Sequence, residues 1–226
     1  MVQGVPGGCH AVADSVAAVF LPLPTDRRTE RFVRCIIGLA LFGLGISMFL
    51  TAHLGVAPWD VFHQGISTRT GIPVGIVIEI TGVCILLLWI PLRERVGWGT
   101  VLNAIEIGLV VYLIDDHLPH THLLMPRVAY MLGGLCAIAV GSGLYIGAGL
   151  GSGPRDGLML ALSKRGISVR TARTSIEVTV LVVGLILGGT VGVGTIAFTF
   201  GIGPTVQYLL PRLRLRDDLT ILATAH

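Results

Sequence analysis

Of 226 residues, 53% are hydrophobic and only 13% charged, and the mean hydropathy is +0.82. Soluble domains run at roughly 45–50% apolar and about 25% charged, so the composition excludes a soluble globular protein and marks an integral membrane one. The net charge of +3 is no sign of a nucleic-acid partner, because the positions of the cations along an apolar chain account for it.

Residues 1–33 carry Pro6, Gly7, Gly8, Pro22 and Pro24 around a short apolar stretch broken by Asp14. No basic segment precedes that stretch, as a secretory signal would require, and a disordered leader outside the fold is expected. Six apolar runs follow, at about 35–54, 72–92, 99–114, 128–149, 172–187 and 195–210. Each approaches the ~20 helical residues that cross a hydrocarbon core. Backbone amides find no water in lipid, so these runs are expected to be helices.

Lysine and arginine orient the spans, since cytoplasmic loops retain cations. With the N-terminus inside, 14 of the 16 basic residues fall on the inner side, Arg155, Lys164 and Arg165 among them, and only Arg69 and Arg127 fall outside. Both termini are therefore expected in the cytoplasm. Trp59 at one boundary and Trp89 and Trp98 at the other fit the interfacial preference of amphipathic rings.

An internal repeat organises the body. Gly38, Gly45, Leu54-Gly55, Pro58, Asp60, Ser67 and Arg69 recur 96 residues later as Gly134, Gly141, Leu150-Gly151, Pro154, Asp156, Ser163 and Arg165. After a one-residue slip, Gly97-Trp98-Gly99-Thr100 recurs as Gly192-Val193-Gly194-Thr195. Units of three spans must run in opposite directions, as in many secondary transporters. The expected fold is an all-α membrane protein of six transmembrane helices in two inverted three-helix repeats, 34–119 and 120–211, with a basic cytoplasmic tail at 212–226.

Each repeat holds a short polar segment after its first run, "LGVAPWDVFHQGIS" and "LGSGPRDGLMLALS". Pro58 and Pro154 suit the first helical position, and Asp60 and Asp156 then sit in the first turn beside free amides. Short re-entrant or interfacial helices are expected, whose acids either cap helix starts or line a pathway. In the first copy Asp60, His63, Gln64 and Ser67 form one stripe that can face water. In the second Met159 and Leu160 replace the middle pair, and that helix is expected to pack.

Three glutamates, Glu79, Glu106 and Glu177, fall inside spans, each costing about 2.5–3.5 kcal/mol if ionised at the centre. Glu79 shares a face with Gly75 and Gly82, which lets a neighbouring helix approach. Asn103 and Glu106, one turn apart, form a polar patch. Glu177 follows Arg173 by four residues, the spacing of a local ion pair. For Glu79 and Glu106 an ion relay or substrate contact stands beside a protonated, hydrogen-bonded acid. Pro204, in the frame opposite Glu106, should kink or interrupt the last span.

Other signals carry less. Gly147-Ala-Gly149-Leu-Gly151-Ser-Gly153 imitates a dinucleotide fingerprint but ends a membrane run where a soluble strand would be needed. Asp115, Asp116, His117, His120 and His122 read as a solvated loop. Cys9, Cys35, Cys84 and Cys136 lack the spacings of zinc or disulfide frameworks and are expected as buried thiols. No metal, cofactor or enzymatic chemistry is expected.

The segments "LGVAPWDVFHQGISTRTGIPVG", "GWGTVLN", "GLYIGAGLGSGPRDGLMLAL", "RTSIEVTVLVVG" and "GGTVGVGT" resemble the YczE/YyaS/YitT-like group of bacterial integral membrane proteins, nearest its YczE branch. The likeness covers about residues 35–211. It implies a multi-pass protein of the bacterial cytoplasmic membrane and carries over no substrate.

Two function classes follow. The preferred one is a secondary transporter or permease for a small solute, energised by an ion gradient or by the solute, as no nucleotide-binding loop is present. Asp60, Asp156, Glu79 and Glu106 are its candidate groups, with Asn103, Glu177, His63 and Gln64 beside them. The alternative is a non-transporting partner that docks another complex through glycine-lined faces and the basic segment 155–173. Expected partners are membrane lipids and the solute, with self-association left open.

Overall fold

The computed structural model describes residues 20–215. Among them are eight α-helices: α1 Arg28–Ala52, α2 Pro58–Thr70, α3 Val74–Leu92, α4 Trp98–Ile114, α5 Leu124–Gly147, α6 Pro154–Ser163, α7 Val169–Leu187 and α8 Val193–Leu213. A single 3-10 turn, Asp115–His117, follows α4. Helices α1, α3, α4, α5 and α8 are long and apolar enough to cross a membrane. The sixth expected span, α7, has the length of α3 but carries Arg170, Arg173 and Glu177 in its first half.

Helix α1 starts at Arg28, inside the segment expected to be a leader, because Arg31 is only 2% exposed and tied into the fold. Its guanidinium donates to the Ala148 carbonyl at 2.8 Å and pairs with Asp26 at 2.8 Å. That hydrogen bond holds the Asp26 carboxyl below its ordinary range. Residues 1–19 of the expected leader and 216–226 of the expected tail lie outside the described residues.

The centre of the molecule is the crossing of α1 and α5. A Cβ on Gly38 would lie 2.7 Å from the Gly141 carbonyl oxygen, and one on Gly45 would lie 2.7 Å from that of Gly134. Residue numbers rise along one helix as they fall along the other, so the two are antiparallel. The glycines let the backbones touch, which small residues allow and no side chain would. Leu39, Ile46, Phe49, Ile107, Val111 and Ile138 fill the core around them, each at most 5% exposed.

Many contacts have a counterpart displaced by the repeat. The amide of Gly99 donates to Leu150 O at 2.9 Å, and that of Gly194 to Leu54 O at 2.7 Å. Thr100 Oγ1 accepts from the Gly97 amide and Thr195 Oγ1 from the Gly192 amide, both at 3.2 Å, closing the first turns of α4 and α8. Gly55 and Gly151 hold φ of 98° and 126°, the left-handed range open to glycine, where the chain turns into each short helix.

Four arginines obey the same rule. Arg31 donates to Ala148 O at the end of α5, and Arg127 to Ala52 O at the end of α1. Arg69 donates to Leu187 O, closing α7, and Arg165 to Pro91 O near the end of α3. A cation there satisfies orphan carbonyls and meets the negative end of the dipole. Arg69 and Arg127, the two exceptions to the charge bias, are helix caps. Arg127→Ala is expected to destabilise by about 1.5–3 kcal/mol, the range for a charged hydrogen bond, read as a lowered unfolding temperature in detergent.

Two expectations fail on packing. Trp59 and Trp89 are 9% and 2% exposed and meet in one cluster with Ile85, so the two rings do not stand at opposite boundaries; Trp98, at 45%, is the exposed one of the three. Cys35 is buried, but Cys84 and Cys136 are exposed on the apolar surface. Pro204 lies inside α8 without interrupting it. Neighbouring groups can re-satisfy a carbonyl freed by proline in an apolar setting.

Candidate functional site

Sequence dictates the local shape of the two short helices. Pro58 and Pro154 occupy first-turn positions, and Asp60 and Asp156 complete those turns. Tertiary packing then turns both N-termini toward one cavity of about 410 Å³. Its lining includes repeat counterparts from both halves: Asp60 with Asp156, Phe42 with Ile138, and, after the slip, Asn103 with Phe198 and Ile107 with Ile202.

At its centre Trp59 and Arg155 occupy the same place in the two copies, and they touch. The guanidinium carbon lies 4.8 Å from the Trp59 ring centre. Arg155 also feels the charges of Asp60 and Asp156. The sequence groups it with the cations of the inner side, and the structure puts its side chain on the cavity wall. The only local signal was the middle residue of Pro-Trp-Asp against Pro-Arg-Asp.

The acids differ in exposure. Asp60 is 3% exposed and its Oδ1 lies 3.3 Å from His63 Nδ1, while Asp156, facing the open space, accepts from Tyr145 Oη at 3.2 Å. The expected water-facing stripe on α2 is thus buried where it begins. Gly184 and Gly189 bring α7 and the turn after it against Val61 and Phe62, and His63 beside them is fully enclosed with Nε2 unpaired. Gln64 is engaged by the α7–α8 turn, accepting from the Thr190 amide at 2.8 Å. The second short helix buries Met159 as expected, yet its acid is the accessible one.

Of the remaining candidates, Asn103 lines the cavity, as do Arg173 and Glu177, paired at 2.9 Å. Glu106 does not: it is half-buried within electrostatic reach of Cys35 on α1. Glu79 packs against Gly108 between α3 and α4, the close approach that Gly75 and Gly82 foretold. Arg69, Arg165 and Pro204 are not among the cavity's lining residues. Among the described residues no group of three metal-ligating side chains is found. Tyr145, 3% exposed, was invisible to sequence reasoning because its partner Asp156 comes from another helix.

The matched helix pairs pack unequally. Helices α3 and α4 pack closely, a Cβ on Gly82 standing 3.4 Å from Ala104 Cβ, and Gly75 against the Gly108 carbonyl. Their counterparts α7 and α8 hardly touch. The cavity wall there is made of Arg173 and Glu177 on one side and Gly203, Val206, Gln207 and Leu210 on the other.

The model of a family of unknown function, DUF6198, matches residues 19–211. An uncharacterised protein of Haemophilus influenzae is 36% identical over 176 residues, 77% of this chain and 81% of that one. The uncharacterised membrane protein YczE of Bacillus subtilis is 32% identical over 180 residues, covering 77% and 83%. YyaS of the same organism is 29% identical over 168 residues, covering 71% and 82%. No solved structure matches the chain. With a continuous match across the apolar helices and the cavity they enclose, this chain belongs to the DUF6198 family and is a membrane protein related to YczE and YyaS.

Proposed function

We propose that the protein is a secondary transporter or permease of a small solute in the bacterial cytoplasmic membrane. Six spans form two inverted halves with both termini in the cytoplasm, and α2 and α6 enter as re-entrant helices from opposite faces. One observation carries this reading: counterpart side chains from both copies line one cavity, and of the two matched helix pairs beside it α3 and α4 pack closely while α7 and α8 stand apart. An inverted repeat that exchanges these two arrangements presents the cavity to each side in turn. Taking Arg173 as cytoplasmic, the parted pair is the inward one.

The docking alternative is weaker. Lys164 pairs with Glu94 at 2.7 Å, Arg165 is spent on Pro91 O, and Arg155 faces the cavity. No enzymatic step is part of the proposal.

The test is flux into proteoliposomes across a metabolite panel with and without a pH gradient. Asp60→Asn is expected to lower flux at least about tenfold, the loss of one charge-assisted contact, with folded yield unchanged. Glu106→Gln, outside the cavity, should change it by less than about half that factor on the same scale. Flux that no panel solute produces, or that Asp60→Asn leaves intact, overturns the reading.

A further inference from the structure

Charge and hydrogen-bonding capacity in the cavity are of both signs and both unspent. Arg155 offers five N–H donors. Among the described residues it has no hydrogen-bond or ion-pair partner, only the Trp59 ring. Each aspartate has acceptor room for about four hydrogen bonds, yet Asp60 and Asp156 have one partner each, at 3.3 and 3.2 Å. Buried charge normally sits fully paired, since removing an ionised group from water without partners costs free energy, and Asp60 is the buried one of the three. A solute that supplies the missing partners relieves that cost.

A purely anionic solute would meet two carboxylates, and a purely cationic one would leave the guanidinium unmatched. An inorganic ion would leave the apolar walls of Phe42, Ile107, Ile138 and Phe198 empty. The volume of about 410 Å³ is at the small end of ligand pockets, which suits a molecule of amino-acid size.

We infer that the cavity binds a small zwitterion of the amino-acid class, its carboxylate on Arg155, its ammonium group between Asp60 and Asp156, and its carbon body against the apolar wall. This rests on the cavity invoked for transport but concerns binding alone.

The experiment is a thermal-shift screen of the detergent-purified full chain with the twenty natural amino acids at millimolar concentration. The best hit is then titrated beside two matched probes, the amine lacking its carboxylate and the acid lacking its nitrogen. The zwitterion is expected to bind at least about tenfold more tightly than either probe, because each lacks one charged contact. Arg155→Gln and Asp156→Asn should each remove the shift, while Arg155→Lys restores part of it, separating lost recognition from lost folding. No stabilising zwitterion, or a matched amine or acid that binds as well, overturns the inference. Zwitterion binding without flux would sink the carrier reading alone, and flux of another solute with no zwitterion bound would sink this one alone.

Discussion

Gly141→Leu is expected to leave no folded protein that can be purified. A Cβ at this position would lie 2.5 Å from the Gly38 carbonyl oxygen and 2.9 Å from the Phe42 amide nitrogen, and both obstacles are backbone. Overpacking a core typically costs about 1–3 kcal/mol when neighbouring side chains can turn aside. Here two helices must separate along the crossing that organises the molecule, against a total stability of about 5–15 kcal/mol. The measurement is recovery of a monodisperse species in detergent and its unfolding temperature. Gly203→Leu is the control, since a Cβ there meets nothing within 4 Å. Equal recovery of both variants would show that α1 and α5 do not cross as described.

On the proposed carrier reading, a disulfide between cysteines introduced at Gly82 and Ala104 is expected to stop transport. The Cβ at Gly82 would stand 3.4 Å from that of Ala104, close to the ~3.5–4.5 Å a disulfide spans. In a background with Cys9, Cys35, Cys84 and Cys136 replaced, oxidation should therefore link α3 to α4 without disturbing the fold. Alternating access requires that pair to part when the opposite flank closes, so the link should reduce flux to background and a reductant should restore it. Each single-cysteine protein serves as control. Full flux in the linked protein would mean that α3 and α4 never separate during a cycle.

Much of this architecture was legible in the residue pattern. Apolar length marked the helices, and Pro-x-Asp marked the short ones, because a proline tolerates only the first turn and an acid favours it. The repeat was legible because glycine, proline and aspartate each have a backbone reason for their positions. Asp60, Asp156 and Asn103 line one cavity, whereas Glu106, equally polar and only three residues from Asn103, is not among its lining residues. Three residues turn a helix by most of one revolution but not all of it, and that remainder is enough to take one side chain off the cavity wall.

By itself the sequence determined the membrane class, the helices and the pairing of two like segments, since hydropathy, length and backbone preference are local quantities. Tertiary structure alone decided that Trp59 and Arg155 meet, that Asp60 is enclosed while Asp156 is open, and that α3 and α4 close while α7 and α8 stand apart. Those outcomes depend on how nearly two backbones approach at glycines far apart in the chain. No window along one strand of sequence contains that distance.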